Sequence, residues 1–161
     1  MPVDPQAEIL NAPPQYGFPR STRELLPWSH TEARLVSARA YWLTTAAASG
    51  RPHVTPVWGV WLDRCLYFDG LPTTRWARNL AENPSASINL ASTEDVVVVT
   101  GGVDDFQADV IMSQRIVAAW TAKYARLVPD PDGDGVFRFT AKRARGWSNE
   151  RLGDGTRWVL S

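Results

Sequence analysis

The alternation of apolar and polar residues predicts a mainly β chain in which short strands are separated by a few helices. The patterns that predict strands lie at residues 41–48, 53–62, 65–68, 86–91, 96–103 and 136–142, with a short last strand at 157–160. Turn residues at 49–52 and 63–64 join the first three strands into a meander. Because these strands do not alternate regularly with helices, we expect a closed or partly closed barrel and not a doubly wound sheet.

Three segments carry helical signals. Ser29 followed by Glu32 forms a capping-box pattern and predicts a helix to about residue 38. Thr73 and Thr74 are the two N-cap candidates for a helix predicted through residue 82. The longest helix is predicted from residue 108 to about 127, with an apolar stripe formed by Val110, Val117, Trp120, Tyr124 and Leu127.

The first 28 residues differ from the remainder of the chain. Six prolines within this stretch exclude a long helix and predict an extended arm. We therefore expect a proline-rich arm at residues 1–28 and a single domain at residues 29–161.

Composition narrows the classes of function. Seventeen basic residues balance 17 acidic ones, so the formal net charge is zero and no overall field attracts nucleic acid or an anionic membrane. The single cysteine, Cys65, forms no internal disulfide, and no apolar run is long enough for a signal peptide or a membrane span. We expect a cytoplasmic protein that binds neither nucleic acid nor membrane. Its eight tryptophans suit both a core and an aromatic binding surface.

The segment from Ser49 to Asn83 carries the polar chemistry. Thr74 and Arg75 lie at a predicted helix start, Arg78 follows one turn later, and Asp69 and Gly70 precede them. Hydroxyls, free amides and a guanidinium together suit a bound phosphate, and an ordinary solvated arginine pair explains the same spacing equally well. No nucleophile, metal or dinucleotide motif is present, so a bound cofactor is expected to supply any chemistry.

These residues also resemble a known family. The runs at 50–63, 66–68 and 74–84 are similar to the pyridoxamine 5'-phosphate oxidase-like split-barrel family, and most similar to its flavin/deazaflavin oxidoreductase branch. The resemblance implies a homodimer of six-stranded split β-barrels, mainly β with flanking helices, that binds FMN or coenzyme F-420 in a groove between subunits. The implied activity is hydride transfer to or from a small organic substrate. The alternative is a non-catalytic carrier of flavin, deazaflavin or haem.

The resemblance also implies roles for particular residues. The strand Val54, Thr55, Pro56, Val57 and Trp58 would line the flat ring, and Asp69, Gly70, Thr74 and Arg75, with Arg78, would hold the ribityl chain and phosphate. Trp158, together with Trp147, would close the site from the second subunit. Two departures count against vitamin B6 oxidation: Trp76 replaces the lysine that usually follows the phosphate arginine, and Val96 and Val97 stand where pyridoxamine oxidases have a glutamine.

Overall fold

The computed structural model describes residues 4–11, 13–16, 24–125, 129–131, 136–150 and 154–160. Within these ranges the chain forms three α-helices: α1 (Trp28–Ser37), α2 (Arg75–Glu82) and α3 (Val110–Tyr124). A short 3-10 helix covers Pro14–Tyr16. The strands are β1 (Gln6–Ile9), β2 (Tyr41–Ala46), β3 (Pro52–Val57), β4 (Gly59–Leu62), β5 (Cys65–Asp69), β6 (Ser85–Asn89), β7 (Asp95–Asp105), β8 (Val136–Ser148) and β9 (Thr156–Val159).

These strands form one antiparallel sheet that curls back on itself. Its order is β1-β9-β8-β7-β6-β2-β3, and β5 pairs with both β8 and β4. The long strand β8 divides the sheet, because its first half pairs with β5 and its second half with β9. Strand β7 pairs with β8 along both halves, with an irregularity between Thr100 and Gly101. The expectation of a mainly β fold is confirmed. The chain connection from β3 to β4 joins the β3 edge of the sheet to the β4–β5 hairpin.

The described residues contain nine strands, two more than the six strands and the short last strand predicted from the sequence, for two reasons. The predicted strand at 53–62 is divided: β3 pairs with β2, whereas β4 turns away to pair with β5. The proline-rich arm also contributes β1, which pairs with β9 at the edge of the sheet. Residues of the arm therefore extend the sheet of the domain, which amphipathic periodicity alone does not reveal.

Two helix predictions need correction. Helix α1 has Pro27 at its N-cap and no side-chain cap, so the Ser29–Glu32 capping box is wrong; Trp28 already lies in the first turn and is buried in the core. In α3 the buried positions are Ser113, Ile116, Trp120 and Tyr124. Val110 is 69% exposed, so the buried stripe is rotated from the one predicted. Leu127 lies outside the described residues.

Two apolar clusters hold the domain together. The larger one fills the space inside the curled sheet and includes Leu43, Phe68, Ile88, Phe139 and Trp158. The smaller one packs α3 against the opposite face of β4 and β5, through Val60, Tyr67, Ile116, Trp120 and Tyr124. Strands β4 and β5 thus have apolar side chains on both faces. Among the described residues, no helix combines the length and apolarity that crossing a membrane requires.

Candidate functional site

The two parts of the predicted site lie beside each other in the fold. Gly59 on β4 pairs with Phe68 on β5, so the residue before one, Trp58, and the residue after the other, Asp69, lie at the same end of this hairpin. Helix α2 follows Asp69 after a short loop and packs against β2 and β3. The end of the predicted ring wall at Trp58 therefore lies beside Asp69, the first of the predicted phosphate-side residues.

The predicted ring wall presents only some of its side chains. Val54 and Trp58 are 53% and 50% exposed, and Pro56, between them, is also exposed. Val57 is buried in the core, and Thr55, on the same face of the strand, is half-buried. Because alternate residues of a strand point to opposite faces, Val54, Pro56 and Trp58 are the members of this strand that present side chains at the surface.

The start of α2 is built as the sequence suggests. Thr74 is the N-cap, and its hydroxyl accepts a hydrogen bond of 3.3 Å from the backbone N–H of Ala77. Arg75, in the first turn, is exposed and forms none of the ion pairs found among the described residues. No acidic side chain lies in the first turn of α2 to neutralise the positive end of the helix dipole. The helix N-terminus and the Arg75 guanidinium are thus free to receive an anion.

Trp76 points away from this surface. It is 6% exposed, and its ring lies 4.8 Å from the Phe137 ring and 5.4 Å from that of Phe68, measured between centroids. A Cβ on Gly70 would lie 2.4 Å from the Trp76 ring, so the loop residue Gly70 is needed for this packing. In this chain the position after Arg75 therefore belongs to the core, and the tryptophan does not occupy the exposed surface around Arg75.

Arg78 faces different surroundings from Arg75. It lines a cleft of about 260 Å³ that also contains Asp104 and Asp105. Asp104 forms an ion pair with Arg138, 2.7 Å between oxygen and nitrogen. The carboxylates in this cleft oppose binding of a phosphate beside Arg78. Of the two arginines, Arg75 is therefore the better suited to bind a phosphate.

Trp158 lies in the core. Its ring is fully buried, packs edge-on against Trp28 at 5.6 Å, and sits over Gly146. The expectation that the Trp158 ring closes a surface site is thereby corrected: β8 and β9 pair through Ala144 and Trp158, which turns that ring inward. Trp147, one residue beyond Gly146, is half-buried on the opposite face.

Tyr124 of α3 also lies at this site, and the sequence gives no sign of its role there. The Trp58 ring stacks on Tyr124 with 5.2 Å between centroids and 6° between planes. Burial raises the pKa of the Tyr124 hydroxyl, and the nearby Asp69 carboxylate adds to that rise. Only the helical period marked Tyr124, as a core residue; nothing in the sequence linked it to a strand more than sixty positions away.

A second feature is the outer face of the sheet. Cross-strand register places Val54, Trp42, Asn89, Val98 and Arg145 in neighbouring rows, on the face opposite the core. A groove of about 610 Å³ crosses this part of the sheet, lined by hydroxyls of β2, β6 and β7 and by two cations of β8. The polar lining includes Thr44, Ser85, Ser87, Thr100, Lys142 and Arg143. Within the described residues no helix covers this face.

Comparison with known proteins identifies the family. The family model described as pyridoxamine 5'-phosphate oxidase matches residues 28–148, and the chain belongs to this family. No curated protein matches the chain significantly. The match covers the candidate site, both long strands and α3.

Solved structures show the same fold at low sequence identity. A conserved hypothetical protein from Mycobacterium tuberculosis is 20% identical, with a TM-score of 0.67 over 84% of this chain and 93% of its own. A structure described as an F420 reductase is 19% identical, with a TM-score of 0.54 over 68% and 92%. The heme storage protein HutZ from Vibrio cholerae is 19% identical, with a TM-score of 0.58 over 73% and 91%. The neighbours thus include both an enzyme and a haem protein.

Proposed function

We propose that this protein is an oxidoreductase that binds FMN or coenzyme F-420 beside Trp58 and the start of α2. The observation that carries the proposal is that half-exposed Trp58 and Asp69 lie at the same end of the β4–β5 hairpin, and that a helix N-terminus bearing the exposed Arg75 follows six residues after Asp69. A flat ring system joined to a phosphate requires both features at neighbouring places. Membership of the family and the neighbour described as an F420 reductase support this assignment.

The residues fit the chemical groups of such a cofactor. Arg75, the Thr74 hydroxyl and the first amides of α2 would bind the phosphate, and Asp69 and Gly70 lie where the chain between phosphate and ring would pass. Val54, Pro56 and Trp58 would contact the ring. When bound, the cofactor supplies hydride transfer, and the protein orients it and the small organic substrate. No side chain of the protein is assigned as an obligatory acid or base.

We further propose that the outer face of the sheet is the homodimer interface. Trp42 and Val54, 40% and 53% exposed, lie on this face together with half-buried Val98 and Trp147. An uncovered apolar surface of this kind is typical of a subunit contact. The cations Lys142 and Arg143 would then approach the partner's cofactor site, and sedimentation of a dilute sample showing a stable monomer would refute this interface.

The proposed function is tested by titrating the purified protein with FMN and with F-420. We expect micromolar or tighter binding of one of them, and Arg75→Gln should weaken it by about tenfold because a charge-assisted hydrogen bond to the phosphate is removed. Arg51→Gln is the matched control, since Arg51 is also exposed but lies in the β2–β3 turn. If neither FMN nor F-420 binds to the protein, the proposal is refuted.

The second candidate function is haem binding without catalysis. The structural neighbours include a heme storage protein and a heme binding protein from Mycobacterium smegmatis. His53 on β3 provides a half-buried imidazole on the strand of the predicted ring wall, on the face that carries Thr55 and Val57. If the protein binds haem, titration of the wild type with haem should shift the Soret band, and His53→Ala should not show this shift. A Soret band that the wild-type protein leaves unchanged would exclude haem binding.

A further inference from the structure

The first residue of β4, Gly59, is held by α3. Gly59 donates its backbone N–H to the Tyr124 hydroxyl at 2.9 Å, and that hydroxyl lies 2.9 Å from the Gly59 carbonyl oxygen and 3.0 Å from that of Arg39. The Lys123 ammonium donates to the same Gly59 carbonyl at 3.0 Å. Two consecutive side chains of one helix therefore satisfy both backbone groups of Gly59.

The other side of Gly59 is closed by β5. A Cβ at this position would lie 2.6 Å from the Tyr67 carbonyl oxygen and 2.8 Å from the Leu66 side chain. The backbone is consequently fixed between β5 on one side and the hydroxyl of Tyr124 on the other. The backbone of Trp58, the preceding residue, is therefore held in a fixed position as well.

Tyr124 also supports the Trp58 side chain directly. The two rings are nearly parallel and stacked, and Tyr124 is 7% exposed, whereas Trp58 keeps half of its surface exposed. Tyr124 in turn packs on Trp120 in the smaller apolar cluster, which anchors it to the domain. Buried and hydrogen-bonded, Tyr124 has little freedom to follow a movement of Trp58.

We propose that Tyr124 is a positioning residue that holds the exposed surface of Trp58 in a fixed orientation for a planar heteroaromatic ligand. This inference rests on the proposed function, since the ligand in question is the ring of the cofactor. The Tyr124 hydroxyl fixes the backbone at Gly59, and the Tyr124 ring supports the indole. A ligand that stacks on Trp58 then binds without the cost of ordering this side chain.

The first test uses the protein without cofactor. Tyr124→Phe keeps the ring but removes the hydroxyl, so hydrogen exchange at the Gly59 amide should accelerate by about fivefold, as expected for the removal of one hydrogen bond. Tyr67→Phe is the matched control: Tyr67 is equally buried in the same cluster, and its hydroxyl makes no hydrogen bond to Gly59. Unchanged exchange at Gly59 in Tyr124→Phe would overturn the proposal.

The second test separates positioning from general stability. With FMN or F-420, whichever binds, the dissociation constant of Tyr124→Phe should rise about fivefold under conditions in which the variant is fully folded. In a Trp58→Ala background the same substitution should have no effect, because the positioned group is gone. An equal effect in both backgrounds would refute positioning through Trp58. If the wild type binds neither cofactor, the proposed function fails, and exchange at Gly59 still decides whether Tyr124 fixes this bend.

Discussion

The replacement Trp76→Lys restores the residue usual in the family at this position, and its effect distinguishes two views of the site. If Trp76 lay on the surface proposed to bind the cofactor phosphate, the lysine would add a cation there and strengthen cofactor binding. The structure instead places Trp76 in the core, 6% exposed, in contact with Gly70, Phe68 and Phe137. We therefore expect Trp76→Lys to destabilise the protein.

The magnitude follows from the aromatic packing that this substitution removes. Truncating a buried tryptophan costs about 3–5 kcal/mol, and the lysine stem recovers part of the apolar packing while its charge must reach water past the Gly70 loop. We expect a decrease of about 3 kcal/mol in the free energy of unfolding, which for a chain of this size lowers Tm by about 6–12 °C.

Urea unfolding and a cofactor titration on the same samples measure the outcome. Trp76→Phe is the control, because it keeps an aromatic ring beside Phe68 and Phe137 and should lose clearly less stability. A core position for Trp76 is refuted if the free energy of unfolding of Trp76→Lys is within about 1 kcal/mol of the wild type and the variant binds the cofactor more tightly.

Three further predictions concern the scaffold of the site. Gly59→Ala should cost about 1–3 kcal/mol, because its Cβ would lie 2.6 Å from the Tyr67 carbonyl oxygen, whereas Gly102→Ala, with its nearest atom at 3.8 Å, should change stability little; equal losses in urea would contradict this. Burial, with the Arg39 charge, lowers the pKa of Lys123 from 10.5 to about 8 in the folded protein. The free energy of unfolding should therefore gain a contribution from Lys123 that rises from pH 8 to about 10.5, and this rise should be absent in Lys123→Met. If the difference in free energy of unfolding between the wild type and Lys123→Met is constant over this pH range, the prediction is refuted. Amides of β1 should exchange faster than those of β7, since β1 is an exposed edge strand paired only with β9; equal protection would count against a loosely attached edge.

The sequence by itself determined several local elements and the family. Residues 74–84 carry an N-cap threonine, an amphipathic pattern and a terminating Asn-Pro, and the structure contains the corresponding helix at Arg75–Glu82. The sequence also predicts a turn at Asp63–Arg64 between two strands, and both residues adopt positive φ in the structure. Such features depend on neighbours along the chain, so their physical causes are visible in the sequence.

Tertiary structure decided which face of each element is used. Alternation within β3 could not show that Val57 enters the core while Val54 stays exposed, because that depends on how β2 and β3 lie over the domain. The burial of Trp76 and Trp158, and the support of Trp58 by Tyr124, arise from packing between distant segments. Pairing of β3 and β4 with different strands fixed the bend at Trp58 and Gly59, and the β4–β5 pairing places Trp58 at the same end of the hairpin as Asp69.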